Sequence, residues 1–240
     1  MNTSLLATLG LGFGLGLKHA LDADHLVAIS TIVGRERSVW RSSLVGTVWG
    51  LGHTASLFMA AVAVIVLRVS ISPAMAQSME FCVGVMLMIL GADLVRRLLR
   101  GEIQLHSHTH EHDGESHAHL HLHAYATVDD HLHHTVGRRP FFVGVVHGLA
   151  GSAALTLFVL STIESAWMAI LYVLVFGAGT VAGMFIMSTL IGLPFALASR
   201  RLSGAVQCLQ LAIGVGSFAF GIFYAGQVAF GEHWLTQLLP

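Results

Sequence analysis

Charge is what this sequence has least of. Only 10% of its 240 residues are Asp, Glu, Lys or Arg, against about 25% in soluble domains. That shortage excludes an ordinary water-facing surface. A mean hydropathy of +0.74 points instead to a chain that crosses a bilayer several times. Neither sign of charge prevails: the formal net charge is -1, so there is no basic footprint for nucleic acid. Cysteine is nearly absent. Cys82 and Cys208 both fall in apolar segments, make no disulfide framework, and read as small hydrophobes. The amino-terminal Met1-Asn2-Thr3-Ser4 lacks the basic stretch of a secretion signal, so the first apolar segment is expected to be retained as a span.

What the sequence does have is long apolar runs. Six spans are expected, at roughly 4–33, 43–67, 75–98, 140–161, 167–198 and 205–230, each at or above the ~20 residues that cross a bilayer core. The first and fifth are long enough to require tilt or a break, and Pro194 should kink or end the fifth. The connections after spans one, three and five hold Arg35, Arg37, Arg41, Arg96, Arg97, Arg100, Arg138, Arg139, Arg200 and Arg201, which is ten of the 12 Lys and Arg. The positive-inside rule then puts both termini outside and the third connection in the cytoplasm.

Three matches at nearly equal offsets suggest an internal repeat. His19 matches His147 at an offset of 128. The stretch 50–59 matches 177–186 at 127, and 83–91 matches 213–221 at 130. A unit of three spans is odd-numbered, so its second copy enters the membrane from the other side. The expected fold class is therefore all-α: a polytopic membrane protein of six transmembrane helices built as an inverted 3+3 repeat. Its parts would be a first repeat at 1–99, a histidine-rich cytoplasmic loop at 100–138 and a second repeat at 139–240. The loop carries His106, His108, His110, His112, His117, His119, His121, His123, His131, His133 and His134 among Ser, Thr, Glu and Asp. Nothing there can form a core, so it is expected to be disordered without metal and to bind metal as an accessory site.

The chemistry concentrates in His19-Ala20-Leu21-Asp22-Ala23-Asp24-His25. A carboxylate at the bilayer centre costs ~2.5–3.5 kcal/mol even on lenient scales, so Asp22 and Asp24 need a cavity, a counter-charge such as Lys18, or an ion. Imidazole nitrogen with carboxylate oxygen suits divalent first-row metals, and the lack of thiolate argues against Cu(I) and structural zinc. On an unbroken helix at about 100° per residue, His19, Asp22 and His25 share a face and Asp24 does not. The two histidines would also stand about 9 Å apart along the axis. Either the helix is distorted here or Asp24 orients a ligand from behind. His53 lies mid-span among small residues and is a candidate ligand from a facing helix. His147, the repeat mate of His19, is a further candidate. Asp93 is expected to pair with Arg96 and Arg97, and Glu80 to sit at the outer interface.

At these residues the sequence resembles the nickel/cobalt transporter family. That family's hallmark is a membrane helix bearing H-x4-D-H inside HAxDADH, matched by His19, Asp24 and His25. A second hallmark, LGH[ST], is matched by Leu51-Gly52-His53-Thr54 on the next span. The resemblance implies that His19, Asp24, His25 and His53 select the metal. The acidic motif of longer members is missing from 176–185, and the chain resembles the shorter six-span branch. The histidine-rich loop is similar to that of the efflux branch, so import and export both stay open.

The resulting expectation is a carrier, not an enzyme, in the cytoplasmic (inner) membrane. Ni2+ or Co2+ would be its substrate, with no prosthetic group. Its partners would be the ion, the lipid bilayer and a cytoplasmic metallochaperone, with no nucleic acid. Three other readings stand beside it: a carrier of Zn, Fe or Mn; a six-span thiol–disulfide electron carrier using Cys82 and Cys208; and a membrane di-iron enzyme using histidine boxes.

Overall fold

The structure, a computed structural model, describes residues 3–69, 71–101, 106–112, 115–121, 138–163, 165–198 and 203–231. Among them run seven helices: α1 (Thr3–His19), α2 (Ala23–Val33), α3 (Val39–Ile65), α4 (Pro73–Leu99), α5 (Arg138–Thr162), α6 (Ala166–Ala198) and α7 (Ser203–Phe230). Stretches within α3, α4, α6 and α7 are each long and apolar enough to cross a membrane. In hydrocarbon a backbone must satisfy its own polar groups, and an apolar run with no second strand to pair with can do so only as a helix. The protein is a polytopic helical membrane protein. Its buried side chains, Trp49, Leu57, Leu87 and Leu94, lie between helices, while equally apolar Met59 (70% exposed) and Ile89 (63% exposed) face outward.

The first expected span is two helices. α1 stops at His19 and α2 starts at Ala23. Between them Leu21 N donates to Lys18 O (2.8 Å) and Asp22 N to His19 O (3.1 Å). The break falls inside the His/Asp cluster, so the unbroken-helix arithmetic that set Asp24 apart from the histidines does not apply. The glycines before it serve packing. A Cβ on Gly16 would meet Phe176 O and one on Gly12 the Tyr172 ring, whereas Gly10 and Gly14 face open space. Pro194 lies inside α6, which continues past it to Ala198.

α6 packs on α1 and α3, α3 also on α5, and α4 on α7. Small residues set these contacts. A Cβ on Gly52 would meet Phe141 O, one on Gly144 would meet Trp49 O, and one on Gly179 would meet Phe13 O. Backbone thus touches backbone, the usual device where the hydrophobic effect does not drive helices together. Polar side chains add ties. Ser43 and Thr189 hydroxyls bond at 2.7 Å, and Gln210 donates to Gly34 O at 2.7 Å.

Two strands, β1 (His106–His112) and β2 (Glu115–His121), pair antiparallel in the third connection. Disorder was expected there, and a hairpin is found. Histidine alternates with other residues along both segments, which is a period of two, and Asp113-Gly114 between them is a favoured hairpin dipeptide. His123, His131, His133 and His134, and Arg200 and Arg201, lie outside the described residues.

Candidate metal site

Four helices converge on one cluster of histidines. His19 is the last residue of α1, His25 lies in the first turn of α2, His53 is mid-α3 and His147 is in α5. Ring centroids lie 4.5 Å apart for His19–His25, 5.0 Å for His25–His53, 5.2 Å for His19–His53 and 4.0 Å for His25–His147. The break between α1 and α2 makes this possible. A straight helix would hold His19 and His25 almost two turns apart. His25, His53 and His147 are buried, and His19 is partly open.

The two acids divide the work of orienting these rings. Asp22 occupies the N-cap position of α2 but makes no cap hydrogen bond. Its carboxylate accepts from His19 Nδ1 at 2.7 Å. Asp24 takes His25 Nδ1 at 3.1 Å on one oxygen and His147 Nε2 at 2.8 Å on the other. Lys18, weighed above as a counter-charge, is exposed and makes no ion pair with either acid. A ring that donates one N–H to a carboxylate presents the lone pair of its other nitrogen. For His19 that atom is Nε2, which lies 3.2 Å from His53 Nε2. For His25 it is Nε2, buried and without a hydrogen-bond partner, as are Nδ1 of His53 and of His147.

Buried unpaired nitrogens cost about 1–3 kcal/mol each. Clustered with two carboxylates, they are candidate ligands for a cation. One ligand atom from each of His19, His25 and His53 falls within 4.8 Å of the others, and the same holds for Asp24, His25 and His147. The two groups share His25, so the geometry offers one ion a choice of ligands along a short path.

A cavity of about 340 Å3 reaches the cluster and is lined by His19, Asp22, Asp24, Glu80, Phe220 and Tyr224 among others. Glu80 and Tyr224 place it in the half of the bundle away from the arginines. The sequence reading had Glu80 as an interfacial residue, yet an intramembrane carboxylate is itself a signal of function. Tyr224 and Phe220 carried no signal in an apolar helix. Trp49, fully buried with its ring 5.6 Å from His25 and 5.5 Å from His147, was also missed. It stands one helical turn before His53, and that spacing could have found it.

Cys82 and Cys208 are both free and exposed. Asp93 bonds Arg97 as expected, but its second partner is Arg35, at 2.9 Å, rather than Arg96.

The chain matches the family NicO, described as high-affinity nickel-transport protein, over residues 5–229. It is 43% identical over 224 residues to the urease accessory protein UreH of Bacillus sp. (strain TB-90), covering 92% of this chain and 91% of that one. It is 37% identical over 68 residues to the high-affinity nickel transport protein of Cupriavidus necator, covering 28% of this chain and 19% of the other. No solved structure matches.

Proposed function

The chain belongs to the NicO family of high-affinity nickel transporters, is not an enzyme, and from this premise we propose how its residues carry the ion. A divalent cation enters the cavity past Asp22 and Glu80, meets His19 at the partly open end, and settles among His19, His25 and His53. Asp24 and His147 form the next station. The single observation that carries this reading is the cluster itself: four histidine rings from four helices, each of the two acids bonded to at least one of them, and three buried ring nitrogens without a hydrogen-bond partner. Co2+ fits the same donors. Binding releases protons from imidazole and carboxylate, which couples the ion to a proton gradient.

An inverted repeat is the second part of the proposal, with 1–99 and 139–240 as its units and 100–138 between them. Reciprocal contacts support it. At the offsets 127 and 128, Gly52 against Phe141 maps onto Gly179 against Phe13. Gly144 against Trp49 and His53 maps onto Gly16 against Phe176 and Thr180. At 130, Gly84 against Gly221 and Ala225 maps onto Gly214 against Gly91 and Val95. This exchange of partners favours duplication over chance glycine matches. Rocking one unit against the other then moves the site between faces. The arginines put their end of the bundle in the cytoplasm and both termini outside, so this conformation faces outward.

The hairpin supports the accessory role of the loop. Its register sets His106 opposite His121, His108 opposite His119 and His110 opposite His117. Such a register concentrates histidine near the cytoplasmic mouth, where a metallochaperone would collect or deliver ions.

The deciding experiment is Ni2+ and Co2+ flux in oriented proteoliposomes with and without a pH gradient. Flux through wild-type protein and none through His19→Ala or His25→Ala is the expected result. Undiminished flux in those variants overturns the site.

A further inference from the structure

A larger cavity lies elsewhere, at the arginine-rich end of the bundle. Its volume is about 880 Å3, and Arg35, Arg96, Arg97, Arg138 and Arg139 line it. Among the described residues, Asp93 is the only carboxylate on its wall, and that one is taken up by Arg35 (2.9 Å) and Arg97 (3.1 Å). Among the described residues, Arg96, Arg138 and Arg139 add three guanidinium groups to the Arg35–Asp93–Arg97 cluster. Arg35 Nε is buried without a hydrogen-bond partner. Burial pushes the Arg35 guanidinium down from its ordinary value, and the charges of Arg97 and Arg139 push it further, against the pull of Asp93. Arg138 and Arg139 form the first turn of α5, where the helix dipole adds positive potential. A surplus of this size, partly removed from water, is repulsive unless an anion enters.

The rest of the wall narrows the anion. Ile32, Ile89, Leu90, Phe142 and Val143 line the same cavity, and Ile89 and Phe142 are 63% and 60% exposed on the outer face of the bundle. The cavity thus has a cationic floor at the membrane surface and an apolar side open to hydrocarbon. A small inorganic anion would use only the floor. Guanidinium forks match phosphate oxygens in pairs.

We propose that this cavity binds the phosphate group of an anionic phospholipid, with the headgroup among Arg35, Arg96, Arg138 and Arg139 and an acyl chain along Ile89 and Phe142. The lipid would pin the Arg35 loop, the end of α4 and the start of α5 together at the cytoplasmic face. No metal ligand is among these residues, so the proposal stands or falls separately from the nickel site.

The test is native mass spectrometry of the full-length protein in detergent, with phosphatidylglycerol or phosphatidylcholine added. Wild-type protein should retain phosphatidylglycerol over phosphatidylcholine, and the triple variant Arg96→Gln, Arg138→Gln, Arg139→Gln should retain at least about tenfold less of it. The matching triple lysine variant keeps the charge without the guanidinium fork and should retain an amount between wild-type and the glutamine variant, which controls for misfolding. Inorganic phosphate should fail to displace the lipid at millimolar concentration. Displacement by phosphate would assign the site to free phosphate and overturn the lipid as its occupant. Equal retention of phosphatidylglycerol by wild-type and glutamine variants would overturn the cavity as an anion site altogether.

Discussion

Asp22 and Asp24 stand two residues apart and look interchangeable, yet they differ in what they hold. Asp22 is 49% exposed and touches one histidine, while Asp24 is 21% exposed and touches two. Removing a carboxylate that orients a ligand costs about 10–100-fold in metal affinity. Asp24→Asn should fall at the upper end of that range and Asp22→Asn at or below the lower end, as read by calorimetric titration of Ni2+ into purified protein. A larger loss for Asp22→Asn would make it the direct ligand. Protons compete with the ion for the same nitrogens and oxygens. The Ni2+ dissociation constant should therefore rise steadily as pH is lowered below neutrality, and a flat profile would show that the imidazoles do not ligate.

At the scale of elements, the backbone contacts make a sharper prediction than the side chains do. Gly16 and Gly144 each lie against a carbonyl of the neighbouring helix, and Gly14 lies against nothing. Gly16→Ala or Gly144→Ala should cost about 1–3 kcal/mol by pushing helices apart and should lower the thermal unfolding midpoint of the detergent-solubilised protein by several degrees. Gly14→Ala should leave it unchanged. The hairpin adds an element-scale test. Deleting 104–135 should change the metal concentration that cells tolerate while leaving proteoliposome flux intact.

For the whole molecule, the proposed inverted repeat fixes which side each half presents. Trp40 and Trp167 are 67% and 72% exposed, each the second residue of its helix, and are separated by the repeat offset of 127. Tryptophans at such positions sit in the interfacial belts. In a protein with Cys82 and Cys208 changed to serine, Trp40→Cys and Trp167→Cys should react with a membrane-impermeant maleimide from opposite sides of sealed vesicles. Labelling from one side only would refute the inverted arrangement.

The sequence by itself determined the class of the protein and which residues are candidates for its metal site. Scarce charge and long apolar runs force a helical membrane protein, because hydrocarbon leaves the backbone no other partner. Asp22 and Asp24 stand out because carboxylates are expensive there, and the family resemblance singles out His19, Asp24, His25 and His53. What the tertiary structure decided is where those groups meet. Only the break at 20–22 brings His19 beside His25, and only the packing of α5 on α3 brings His147 within reach of Asp24. Glu80, Trp49 and Tyr224 join the site from helices whose local sequence says little about it. A one-dimensional pattern records the cost of a residue in its own segment. It does not record the neighbour that offsets that cost, because that neighbour is set by helix crossings between residues more than a hundred positions apart.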